Sequence, residues 1–190
     1  MTGNNLNANE ITFSADKALE SVLYIASKLT KPTVHEVLKI RYFADKLHFA
    51  DYGFMASGDD YVAMKFGPVA TTTYNMLKAA RGDQSGWIHP RLYELISGTL
   101  EVSRGSNLVT HLRDPNLDLL SRADVICLDQ ALERYGNMPF AQRTELSHDS
   151  AWQAAWDSAT EDEAGQSPIK LEDIAATLPN SQEIIAHLHA

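Results

Sequence analysis

The sequence predicts a mainly helical α+β fold, a helical core with a small antiparallel sheet or hairpin around residues 60–112. Three observations lead there. Apolar residues recur at i, i+3, i+4 and i+7 in several separate segments, the spacing of one buried helical stripe. Most of those segments open on Ser or Thr in a capping position. Only the stretch from about 60 to 112 alternates with a period near two between Gly- and Pro-containing turns. The chain has 190 residues and a single cysteine, Cys127. At this length a hydrophobic core is sufficient without a disulfide or a structural metal.

Residues 1–13 are polar and Asn-rich and read as a flexible tail. Ser14, preceded by Phe13, caps a helix whose stripe is Ala15, Ala18, Leu19, Val22, Leu23, Ala26 and Leu29. Lys31-Pro32 ends it, because a residue before proline disfavours helical angles. Thr33-Val34-His35-Glu36 is a capping box for a second helix running to about Ala50. Val34, Val37, Leu38, Ile40, Tyr42, Phe43, Ala44 and Leu47 make it apolar nearly all round, which places it centrally. One row differs: Arg41, Asp45 and His48 share a face.

Gly53 and Ser57-Gly58-Asp59-Asp60 are turn chemistry. Tyr61–Phe66 reads as a strand. Gly67-Pro68 breaks it and opens a helix at the proline, with Val69, Thr73, Met76, Leu77 and Ala80 as its buried side and Arg81-Gly82-Asp83 as its close. Arg91–Ile96, Ser97-Gly98 and Thr99–Ser103 read as a hairpin, with Leu108–Leu112 as a third strand and Asp114-Pro115-Asn116 as a turn. Ser121 opens a helix to Tyr135, stopped by Gly136 as a left-handed cap. A short helix over Phe140–Leu146 follows, then the stripe Trp152, Ala155, Trp156 and Ala159. From Asp157 to Asp173 six acids face one lysine, a net of −5 out of the chain's −9. That composition reads as a linker, and a last helix is capped at Asn180. The domain is therefore drawn over 14–160, with 161–190 as an acidic linker and C-terminal helix.

The acidic balance argues against nucleic acid and anionic membranes as partners. No apolar run approaches the ~18 residues of a membrane span, and the N-terminus has no secretory pattern, so a cytoplasmic protein is expected. The sequence lacks a nucleophile elbow, a phosphate loop, a zincin motif and a dinucleotide fingerprint. Cys127, between Ile126 and Leu128, reads as a buried inert thiol. Asp45 and His48 can converge on one helix face, and Asp59 and His148 can join them only through the fold. They bind a metal, they serve acid–base catalysis, or His48 bridges Asp45 and a backbone group in a buried network. Two ligands from one helix do not complete a zinc site. Trp152 and Trp156 read as core.

The order of three blocks resembles the Panacea domain, the SocA-like antitoxin family. The first block is Lys39-Ile40-Arg41-Tyr42-Phe43-Ala44-Asp45-Lys46-Leu47-His48. The second is Gly58-Asp59-Asp60-Tyr61-Val62-Ala63, then Gly67-Pro68-Val69, Tyr74 and Leu77. The third is Tyr135-Gly136, Leu146-Ser147-His148 and Trp152. Arg41 departs from the pattern, standing where an apolar residue is common. The resemblance implies a non-enzymatic antitoxin without a cofactor or metal. Its partner would be a cognate protein toxin, typically encoded next door, neutralised by direct binding. Delivery of the toxin to a protease, or a metal-dependent hydrolase built on Asp45, His48, Asp59 and His148, are the rival expectations. With so short a segment before the core, no DNA-binding helix-turn-helix unit is expected. The resemblance also selects Lys39, Tyr42, Asp45, His48, Asp59, Tyr61, Gly67, Pro68, Val69, His148 and Trp152 as site residues, either an internal polar network or a toxin-binding surface.

Overall fold

A computed structural model describes residues 13–83, 90–159 and 165–189. The first helix, α1 (Ala15–Lys28), starts at Ser14, whose hydroxyl accepts from the Lys17 amide. The second, α2 (Val34–Tyr52), carries the capping box of Thr33 and Glu36 and ends at Gly53 in the left-handed region. As its composition requires, α2 is buried along most of its length. It packs against α1, against α5 (Arg122–Tyr135) and α6 (Phe140–Ser147), and against the main sheet.

That sheet is antiparallel, with a central strand flanked by one neighbour on each side. Strand β1 (Tyr61–Met64) pairs with β2 (Gly67–Ala70) in the register Tyr61↔Ala70 to Met64↔Gly67. The Gly67-Pro68 pair is thus a strand, and not the helix start read from the sequence. Proline is tolerated because β2 is an edge strand, where no ladder donor is lost. The helix begins three residues later as α3 (Thr71–Ala80), burying Thr73, Met76 and Leu77.

The expected hairpin over Arg91–Ser103 is also corrected. Pro90–Ile96 is a helix, α4, opened by its proline. Ile96 is buried and Leu92 and Leu95 pack beside it, an i, i+3, i+4 grouping. In so short a run the two periods are hard to tell apart. Gly98, with φ +73°, makes the turn after the helix. The real hairpin pairs β3 (Leu100–Val102) with β4 (Val109–His111), and Asn107 in its loop also has a positive φ. Gly136 ends α5 with φ −61°, right-handed and not the left-handed stop.

Helix α7 (Ser150–Asp157) carries Trp152 and is capped by Asp149, which accepts from the Ala151 and Trp152 amides. The expected linker does not stay loose at its C-terminal end. Ser167–Pro168 forms β5 on the free edge of β1, and Ile169 N–H donates to the Tyr61 carbonyl at 2.8 Å. Helices α8 (Leu171–Ala176) and α9 (Ser181–Leu188) then bury Ile174, Ala175 and Ile184. Glu172 and Asp173 sit in the first turn of α8, where the helix dipole favours acids, so part of the acidic count belongs to a packed helix. Asn180 holds the N-cap position of α9 as expected, but its side chain makes no cap hydrogen bond, and its amide donates to the Ala50 carbonyl at 2.8 Å. The tail over 1–12 and the acids Glu161, Asp162 and Glu163 lie outside the described residues. Among those described, no helix is long and apolar enough to cross a membrane.

Candidate functional site

The selected residues surround α2 in three separate groups. The first lies where α2 meets β1. The Tyr61 hydroxyl donates to Asp45 Oδ2 at 2.6 Å, and Arg41 Nη2 lies 3.7 Å from the same oxygen. Arg41 is 2% exposed. Its guanidinium also donates to the Ala18 carbonyl and the Ser57 hydroxyl. Arg41 is thus half of an internal ion pair, in a row legible from the i, i+4 spacing. Burial, and then the Asp45 charge, hold the Tyr61 phenol well above its usual range. Asp59 does related work nearby. Its two oxygens accept from the Thr72 amide and from the Thr73 amide and hydroxyl, capping α3, whose own cap position is Ala70.

The second group centres on His48. Its Nδ1 meets the Phe54 carbonyl at 2.8 Å and its Nε2 lies 3.2 Å from Asp124 Oδ1, both side chains 1% exposed. The expected bridge to Asp45 is therefore corrected. The backbone half is present, but the carboxylate comes from α5. Asp124 is also contacted by Lys17 at 3.0 Å and by the Ser121 amide at 2.7 Å. Burial opposes its charge, yet these partners hold its carboxyl well below the usual range. In the sequence Asp124 shows only as the third residue of a cap, which gives no sign that α2 and α1 converge on it.

The third group pins the β1–β2 hairpin. Lys39 Nζ, 1% exposed, donates to the Pro68 carbonyl at 2.6 Å. Gly67, at φ +98°, lets this happen. A Cβ there would overlap Ser147 Oγ and sit 2.7 Å from Lys39 Nζ. Burial pushes the Lys39 ammonium down to about 7, with Asp149 opposing. Val69 follows in the same buried strand. On the next turn, the Tyr42 hydroxyl and Lys46 Nζ each donate to Asp149 Oδ2 at 2.8 Å. Burial and the Asp149 charge raise the Tyr42 phenol well above its ordinary value. Trp152 Nε1 donates to the Met64 carbonyl at 2.9 Å. The His148 ring stacks on Trp152, with centroids 3.6 Å apart and an angle of 4°. Its basicity is lowered, first by burial and then by the Lys39 charge. Asp149 and Ser147 were missed as site members. An Asp directly before the Trp152 stripe was the available cap signal.

The four residues of the hydrolase alternative are divided among the three groups and engaged by separate partners. Asp45 is taken by Tyr61 and Arg41, Asp59 by α3, His48 by Phe54 and Asp124, and His148 by Trp152. Among the described residues, no three His, Cys, Asp or Glu side chains are grouped so as to hold a metal. Cys127 is buried, and burial pushes its thiol up to about 12, which disfavours the nucleophilic thiolate.

The family model for the antitoxin SocA-like Panacea domain matches residues 37–153. That span runs from the first turns of α2 to α7 and contains all eleven selected residues. No curated protein and no solved structure matches the chain.

Proposed function

The chain belongs to the SocA-like Panacea family of antitoxin domains, and on that premise we propose that it neutralises a cognate protein toxin, encoded by the neighbouring gene, through direct non-enzymatic binding in the cytoplasm. The family match carries this reading, and the state of the motif residues supports it. Buried polar groups are normally satisfied within the fold, and here Lys39, Tyr42, Asp45, His48, Asp59 and Tyr61 each have an internal partner. They act as the framework, leaving the toxin to meet the surface. A standard interface of ~800 Å² per partner is small against the surface of a chain this size.

The test is co-expression. The neighbour's product alone is expected to stop growth. Adding this chain is expected to restore growth and to yield a complex that survives size-exclusion chromatography. Rescue that persists in a host lacking its cytoplasmic proteases supports neutralisation by binding, and rescue lost there supports delivery to a protease. A neighbour that is harmless and unbound overturns the assignment.

A further inference from the structure

The third group of motif residues converges on a short length of backbone that does itself reach solvent. The β1–β2 turn, Lys65-Phe66, is fastened on both sides. Trp152 holds the Met64 carbonyl before it, and Lys39 holds the Pro68 carbonyl after it. Gly67 fits under Ser147 and Lys39 only for lack of a side chain. The tip carries Phe66, 50% exposed. Its ring meets Phe140, also 50% exposed, edge-on at 5.5 Å. Phe140 in turn packs on the His35 ring at 4.1 Å, and His35 Nε2 is fixed by the Thr144 hydroxyl at 3.0 Å. Lys65 Nζ lies 5.5 Å from the Phe66 ring and makes no ion pair among the described residues.

Phe66 and Phe140 are two adjoining large rings, half in water, with Phe140 held from beneath by His35. Aromatic anchors dominate binding energy at protein interfaces. Rings ordered before binding lose little further freedom on contact. We propose that Phe66 and Phe140, edged by Lys65, are the docking surface for the toxin, which presents an apolar pocket for the rings and a carboxylate at its rim for the lysine. This rests on the antitoxin reading and deepens it. It gives the buried motif a functional purpose without contact, because Lys39, Gly67, Ser147 and Trp152 are positioning residues for the tip. In a chain of net charge −9, a lysine beside an exposed ring, with no ion pair among the described residues, also favours a partner that brings negative charge. A rival surface exists at Leu112, Leu117 and Leu119, on a loop tied to buried Glu20 by Arg113 and the Asn116 amide. Leucine is under-represented among interface anchors, and the selected motif residues do not support that loop.

The probe is the neighbouring gene's product, tested for binding by calorimetry and for growth rescue. Phe66→Ala with Phe140→Ala is expected to weaken binding by on the order of 100-fold and abolish rescue, with circular dichroism and thermal melting unchanged. Lys65→Glu, at an exposed position, is expected to weaken binding roughly 3- to 10-fold through slower, salt-sensitive association. It remains informative if the double variant does not fold. Leu117→Asp with Leu119→Asp is expected to bind as the wild type. The docking surface is overturned, with the antitoxin reading intact, if the phenylalanine and lysine variants bind and rescue normally, or if only the leucine variant fails. A neighbour that neither binds nor stops growth overturns both.

Discussion

Lys39 and Arg41 stand two residues apart on α2, and both are almost wholly buried. The fold treats them in opposite ways. Arg41 sits against the Asp45 carboxylate, with the Ala18 carbonyl and the Ser57 hydroxyl accepting from its two terminal nitrogens. Lys39 has one carbonyl, that of Pro68, as its hydrogen-bond partner, and the nearest influential carboxylate, Asp149, is engaged by Tyr42 and Lys46. The difference follows from the chemistry of the two groups. A guanidinium keeps its charge at any ordinary pH, so burial requires a counter-charge. An amine can give up its proton when desolvated and still donate to a carbonyl. The Arg41 side is therefore balanced architecture. The Lys39 side is a fastening for one hairpin.

Breaking the balanced side is expected to cost most. Asp45→Ala leaves a buried guanidinium without its carboxylate and removes the acceptor of the Tyr61 hydroxyl. A loss of ~3–5 kcal/mol in chemical denaturation is expected, the usual cost of orphaning half of a buried pair. A loss under ~1 kcal/mol would mean that Ser57 and the Ala18 carbonyl suffice for Arg41. On the Lys39 side, Gly67→Ala places a methyl group against Ser147 and Lys39 at a backbone angle that alanine adopts poorly. A smaller destabilisation of about 1–3 kcal/mol is expected, as for other overpacked positions. Adding Ser147→Ala is expected to recover only part of it, since the strain at φ +98° remains. Full recovery would assign the whole effect to crowding.

The smallest effect is the one that most sharpens the contrast. Lys39 titrates at about 7 in the folded protein, against an ordinary value of 10.5. Between those values the unfolded chain binds more protons, so stability rises with pH. Cys127 works the other way above about pH 9, because its thiol is raised from 9.0 to about 12. The clean window is therefore pH 7 to 9, where melting temperature is expected to climb. Lys39→Met is expected to flatten that climb. An unchanged slope in the variant would show that Lys39 is not its source.

The sequence by itself determined the elements whose signals are local. The capping boxes of Thr33 and Ser121, the caps at Ser14 and the stripes of α1, α2, α5 and α7 were all readable, because cap and stripe lie within a few residues of each other. The mainly helical α+β class and the central place of α2 followed from them. Where two local signals compete, neighbouring residues do not decide between them. Pro68 can open a helix or occupy an edge strand, and only the pairing of Ala63 with Pro68 decides. Arg91–Ile96 is too short for its period to be distinctive, and its packing makes it a helix. Between Asp157 and Asp173 the acids hid Ser167 and Ile169, which are buried where the chain pairs along the free edge of β1. The site divides in the same way. The row of Arg41, Asp45 and His48 is a property of one helix, and the sequence contains it. That His48 turns to Asp124, 76 positions away, and that Lys39 reaches Pro68 to fasten an exposed Phe66, are facts of side chains meeting across elements. Only the tertiary structure could decide them, because hydrogen bonds are satisfied by whatever the packing brings within hydrogen-bonding distance, and that partner leaves no mark on the residue's own neighbours in sequence.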